Sequence, residues 1–218
     1  MTDQEIREVV VGELRPHDAP IVLVEYDPEW PVLFAREARR IREVLGERVL
    51  QLEHVGSTSV PGLIAKNILD ILLAVAESSD EPSYVPDLEK AGYRLTVREP
   101  EWHQHRLFKG PDTNINLHVF TKGSSEIERT LLLRDWLREN PENRKLYAET
   151  KKKLAAHKMA LRTELRRKIY HNRSNALTRA SLDVRLEKPE SPSCGGLRLQ
   201  PGKATTILGL VAETAWLS

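Results

Sequence analysis

Cysteine is almost absent from this chain. Cys194 stands alone among 218 residues, so neither an internal disulfide framework nor a cysteine-rich zinc site can be built from it. Long apolar runs are missing too: nothing approaches the roughly 18 consecutive apolar residues of a membrane-spanning helix. The opening Met1-Thr-Asp-Gln-Glu5 lacks the basic-then-apolar pattern of a secretory signal, so the expected location is cytoplasmic, with no membrane partner. Nor is there an excess of one charge. The 33 Lys and Arg against 32 Asp and Glu leave +1, which gives no global bias toward nucleic acid. What is present, 40% hydrophobic and 30% charged residues, suits one principal domain with appendages, and says nothing of oligomeric state.

Composition divides the chain into three parts. Residues 1–20 are polar, with a short Val9-Val10-Val11 run and prolines at 16 and 20, and read as a leader packed loosely on the domain at residues 21–180. Residues 181–218 turn to Pro, Gly, Ser and isolated apolar side chains and read as a mostly disordered tail. Within the domain Ile21–Tyr26 is a strand candidate, and further strands are expected near 48–55, 67–76, 93–98, 104–109 and 114–120. Helices are expected near 28–46, 84–91, 124–139 and 141–173. Asp27-Pro28 is a start signal for the first, along which Trp30, Phe34, Ala38, Ile41 and Leu45 recur at helical spacing. Arg36, Arg39, Arg40 and Arg42 fall mostly off that stripe and read as a solvated face. Gly92 ends the second helix. Ser125–Glu128 has capping-box spacing at the start of the third. The last is basic: from Arg144 to Arg173 eleven Lys and Arg face two Glu, a local +9, with Leu146, Leu154, Leu161, Leu165 and Ile169 as its apolar stripe and a solvated outer face. The implied fold class is α/β of the α+β kind, a mixed sheet flanked by helices with a long basic C-terminal helix.

The chain is organised around His54-Val-Gly-Ser-Thr-Ser-Val-Pro-Gly-Leu63 and the run Ile68–Val75. A Gly-Ser turn there separates two strand-like segments, and the second carries Asp70. A carboxylate in so apolar a strand needs a cation, a donor or a metal beside it. The turn is not a Walker loop, because five residues separate Gly56 from Gly62 and Leu63 follows where that motif requires Lys. Period-two alternation places Asn114, Asn116 and His118 on one face of a later strand and Ile115, Leu117 and Val119 on the other.

The Gly56-Ser57 turn followed by the acidic strand resembles the nucleotidyltransferase superfamily. The full turn, with Ala65-Lys66, Leu69-Asp70-Ile71, His105-Arg106, Asn116–Phe120 and Arg134–Leu137, resembles the GrpB (UPF0157) family from about Val22 to about Leu154. That resemblance implies a nucleotidyltransferase-like fold in which a strand-terminal Gly-Ser approaches nucleotide phosphates and an Asp-x-Asp strand holds divalent metal. This chain has Asp70-Ile71-Leu72, one carboxylate where the superfamily pattern has two, and offers amide and imidazole where a third acid is expected.

The candidate site follows from these residues. Gly56 lets backbone approach a phosphate and the Ser57 hydroxyl adds a donor. Lys66 is a candidate to neutralise phosphate charge. Asp70 is the candidate catalytic carboxylate and Mg²⁺ ligand, with a buried salt bridge to Arg106 or Lys66 as the rival reading. His54, His105, Arg106, Asn116 and His118 are candidate polar pocket residues. Two functions remain open: nucleotidyl transfer with Mg²⁺ to a small acceptor, and a binding module for a nucleotide or other phosphate-bearing small molecule, the latter in keeping with the family's occurrence fused to dephospho-CoA kinase. Nucleic-acid binding through the basic helix is a weaker third.

Overall fold

The computed structural model describes residues 9–11 and 22–156. Its sheet has five strands, β1 (Gln51–Val55), β2 (Leu69–Val75), β3 (Arg94–Glu99), β4 (His105–Lys109) and β5 (Ile115–Thr121). Their order is β1-β2-β5-β4-β3. The parallel pair is β2 with β5, and every other neighbouring pair is antiparallel. All seven residues of β2 are buried, as expected of an apolar run covered on both faces.

Alternation along the strands sorts the core into two layers. Leu52, Ile71, Leu73, Leu117, Val119 and Phe108 face helices α1 (Glu29–Leu45) and α2 (Val85–Lys90). Val55, Leu72, Ala74 and Phe120 face the opposite way and pack on Ile127, which belongs to α3 (Ser125–Glu139). Helix α4 (Pro141–Ala156) joins that second layer, where Tyr147 packs with Leu133, Leu137, Val60 and Leu63. The layer that carries α3 and α4 is the one toward which Asp70 points.

Several local readings change. Ile21–Tyr26 is not a strand: among its described residues Val24 alone pairs, exchanging two hydrogen bonds of 2.8 and 3.0 Å with Ala65. The segment lies across a short extended piece rather than along the sheet, and Val22 and Val24 remain exposed. The cap of α3 is Ser124, one residue before the expected box, and its hydroxyl accepts the Glu126 N–H at 3.4 Å. Glu126 itself turns inward and pairs with Arg129. Val10 pairs with Val97 on the outer edge of β3, so this part of the leader is docked. Arg36 and Arg40 are not merely solvated. Arg40 grips Asp112 through two bonds of 2.7 and 2.9 Å, and Arg36 donates to Thr113, tying α1 to the β4–β5 connection. The remainder of the basic helix, with Leu161, Leu165 and Ile169, lies outside the described residues, as do most of the leader, the tail at residues 181–218 and Cys194.

One buried acid outside the candidate site holds α1 to the sheet. Glu37 is fully buried and accepts from Tyr93 Oη at 2.7 Å and Thr113 Oγ1 at 2.8 Å, with Arg40 3.4 Å away. Burial followed by this carboxylate pushes the Tyr93 phenol well above its ordinary range. Tyr93→Phe removes one donor from a desolvated charge and is expected to cost about 1.5–3 kcal/mol in urea unfolding. An unchanged midpoint would show that Thr113 and Arg40 suffice.

Candidate functional site

Asp70 reaches the protein interior because Gly56 has no side chain. In the β1–β2 register Val55 lies opposite Asp70, so the chain leaves β1 directly over the carboxylate. Gly56 adopts φ 69°, ψ −170°, a conformation essentially reserved for glycine, and a Cβ built there collides with the Asp70 carboxylate. Ser57–Ser59 then form one turn of 3₁₀ helix, closed by Ser59 Oγ donating to the Gly56 carbonyl at 2.6 Å.

The carboxylate is compensated unequally. Its Oδ1 accepts from Asn116 Nδ2 at 2.8 Å, and Asn116 Oδ1 in turn accepts from Lys109 Nζ. His118 Nε2 stands 3.6 Å from the same Oδ1. Among the described residues no hydrogen bond reaches Oδ2, a costly condition for a buried acceptor. Asp70 also borders a cavity of about 30 Å³, bounded by Ser57, Leu72, His118, Phe120 and Arg134 among others, room for about two waters.

Two chains of polar groups meet there. On one side His118 Nδ1 and His105 Nε2 are 3.0 Å apart, and His105 Nδ1 is 2.7 Å from Glu99 Oε2. With His105 Nδ1–H donating to Glu99, His105 Nε2 is the acceptor for His118 Nδ1–H, which fixes both tautomers. Burial holds His105 neutral, with its pKa lowered to about 4 against the opposing pull of Glu99. The tight connection before β4, with φ 54° at His103 and 52° at Gln104, delivers His105 to this face, where Trp102 packs edge-on at 5.1 Å. On the other side Lys151, 6% exposed, reaches across from α4 and donates to Ser57 Oγ at 2.7 Å. Burial, then repulsion from Lys66, lowers its pKa to about 8, with Asp70 pulling the other way. Burial likewise lowers Lys109, against the field of Asp70.

Gly56, Ser57, Asp70, His105, Asn116 and His118 thus share one neighbourhood, and Lys66 acts on it through the field it exerts on Lys151. Two expected members do not. His54 points to the opposite face of the sheet, because it alternates with Val55; its ring stacks on Phe34 at 5.0 Å and its Nε2 is 3.0 Å from Thr58 Oγ1. Arg106 alternates with His105 in the same way and binds Glu81 at 2.6 Å, so it is not the partner of Asp70. Lys109, Glu99 and Lys151 are the residues that sequence reasoning missed. Lys109 was findable, being two strand periods from His105 on the same face. Lys151 opens a Lys-Lys-Lys run and has no feature that marks it from its solvated neighbours.

These residues do not fit a two-metal centre. Among the described residues no group of three His, Cys, Asp or Glu side chains could hold a metal ion. The position that would carry the second acid is Leu72, and His118 lies opposite it in register. Asp70 Oδ1 is already committed to Asn116, and ammonium groups rather than carboxylates flank the site.

The model of the GrpB protein family matches residues 20–182. UPF0157 protein BH1888 of Halalkalibacterium halodurans is 67% identical over 156 residues, 72% of this chain and 80% of that protein. The crystal structure of the conserved protein GrpB from Enterococcus faecalis is 35% identical and covers 62% of this chain and 83% of its own, with a TM-score of 0.56. A dephospho-CoA kinase of Mycolicibacterium paratuberculosis is 31% identical over 160 residues, which span 62% of this chain and 39% of the kinase.

Lys151 gives the site a measurable pH signature. Its pKa is about 8 in the folded protein against an ordinary 10.5, so between these values the unfolded chain binds more protons and stability rises with pH. Below about pH 8 the ammonium is charged in both states and its burial is a standing cost. Lys151→Met is expected to be more stable than the parent at pH 7, and to lose most of the rise in unfolding free energy between pH 8 and 10.5. Denaturation series at several pH values check this, and parallel curves for the two proteins would contradict it.

Proposed function

This chain belongs to the GrpB family, and we propose that it binds a nucleotide or another phosphate-bearing small molecule, with a phosphate group at the Gly56-Ser57 turn. The observation that carries this reading is the Lys151 ammonium, buried against the Ser57 hydroxyl at 2.7 Å, beside a carboxylate with one unsatisfied oxygen. A phosphate oxygen is a far better acceptor for a buried ammonium than a neutral hydroxyl. On binding, it would replace Ser57 Oγ as the acceptor of Lys151 and receive the Ser57 O–H. The Asp70 carboxylate, which borders the same cavity, then accepts from a donor on the ligand, either a hydroxyl or an acidic P–OH. The cavity admits only a few atoms, so the rest of the ligand lies outside it.

The single carboxylate favours recognition over two-metal nucleotidyl transfer, since hydrocarbon stands where the second acid would be. The relatives named dephospho-CoA kinase support phosphorylated CoA precursors as one ligand class to try beside nucleotides. Calorimetric titration with ATP, ADP and dephospho-CoA, on the parent and on Lys151→Gln, tests the reading. The variant is expected to bind the preferred ligand at least about tenfold more weakly, the loss of one charge-assisted contact, with no pyrophosphate released by the parent. Equal affinity in parent and variant would remove Lys151 from the site and this function with it.

A further inference from the structure

Along the open edge of β1, on the far side of the same turn, lies a second hollow that the proposed function leaves unused. Its volume is about 460 Å³, within the usual range for small-molecule sites. Phe34 and His54 form one part of its wall, and Arg134, Arg138 and Arg144 another, with Glu53 as the acid among them. We infer that this groove is a binding site for an anionic ligand that carries a planar ring, such as a nucleoside diphosphate, with its charge on the arginines and its ring against Phe34.

Asp135, just outside the lining, pairs with Arg134 at 2.7 Å and with Arg138 at 3.3 Å, so three guanidiniums stand against two carboxylates. The groove keeps a net positive charge, and guanidinium is the side chain best shaped for phosphate. They are held in place from behind. Arg138 spends Nε and Nη2 on the Ser59 carbonyl, at 3.0 and 2.8 Å. Arg134 bridges Glu53 at 2.9 Å and the His54 carbonyl at 3.1 Å, and Arg144 Nη1 caps the end of α3 at the Leu137 and Arg138 carbonyls. Groups fixed by such contacts lose little freedom on binding, which favours affinity. Phe34 is partly exposed and is braced on one face by the His54 ring, stacked at 5.0 Å with an interplanar angle of 12°, a platform of the kind on which bases stack. Burial, with help from Arg138 and Arg134, lowers the His54 pKa to about 4, so above mildly acid pH the charge of the groove comes from the guanidiniums alone. This assignment also gives His54 a place, on the opposite face from the cavity to which its position in the turn motif would have sent it.

The test titrates ADP, inorganic pyrophosphate and adenosine into the full chain and follows arginine Nε–Hε resonances by NMR. ADP is expected to shift those of Arg138 and Arg144 and to bind there about tenfold more tightly than pyrophosphate, the worth of one stacked ring. Phe34→Leu should abolish that preference while retaining pyrophosphate binding. Arg144→Glu, with Arg144→Gln in reserve should the reversal fail to fold, should weaken both ligands. Lys151→Gln should leave the groove resonances unchanged, which separates this site from the cavity. The inference is overturned by the absence of ADP-dependent shifts at Arg138 and Arg144 up to millimolar ligand, by Phe34→Leu keeping the preference, or by Lys151→Gln erasing the shifts.

Discussion

A carboxylate buried at the second position of an otherwise apolar seven-residue strand is the constraint from which this site follows. An uncompensated charge there would cost several kcal/mol, so the neighbours of Asp70 must supply donors or counter-charge. One oxygen is served by the Asn116 amide, itself held by Lys109. Gly56 leaves the space in which the carboxyl group lies. The other oxygen lies against Gly56 with no hydrogen bond among the described residues, and the amine of Lys151 is tied to the turn rather than to the acid. The compensation is therefore incomplete.

Where a nucleotidyltransferase-like sheet would gather acids around metal ions, this chain gathers amines around one acid. Leu72 stands where the resemblance implies a second carboxylate, and Asn116 and His118 offer amide and imidazole where it implies a third, while Lys109 and Lys151 bring two ammonium groups whose proton affinity is reduced by burial. On the proposed function such a site would bind anions without an intermediary cation, since a single carboxylate does not make the two-metal clamp of a phosphoryl displacement.

Most of the fold was legible in the sequence. The apolar run at Leu69–Val75, the alternation at Ile115–Thr121 and the spacing from Trp30 to Leu45 each match an element to within about two residues, the usual limit for assigned ends. The exceptions were local: Val22 and Val24 have β propensity but one short partner, and Ser124 rather than Ser125 meets the geometry of a cap. The site was legible only as far as strand alternation reached. Period two placed Asn116 and His118 together, and the same rule, applied to β1 and β4, would have sent His54 and Arg106 to the opposite face. Lys151 was invisible because burial of one lysine in a basic helix depends on how that helix docks across the sheet, and no local pattern encodes it.

On the proposed function, ammonium groups supply the charge on which ligand binding at the Gly56-Ser57 turn depends. The most direct measurement is the affinity for a nucleoside triphosphate by calorimetry, once with EDTA and once with excess Mg²⁺. The two affinities are expected to agree within about threefold, well under the factor of ten that about 1.4 kcal/mol represents. Binding that appears only with Mg²⁺ would contradict it and return Asp70 to the role of a metal ligand.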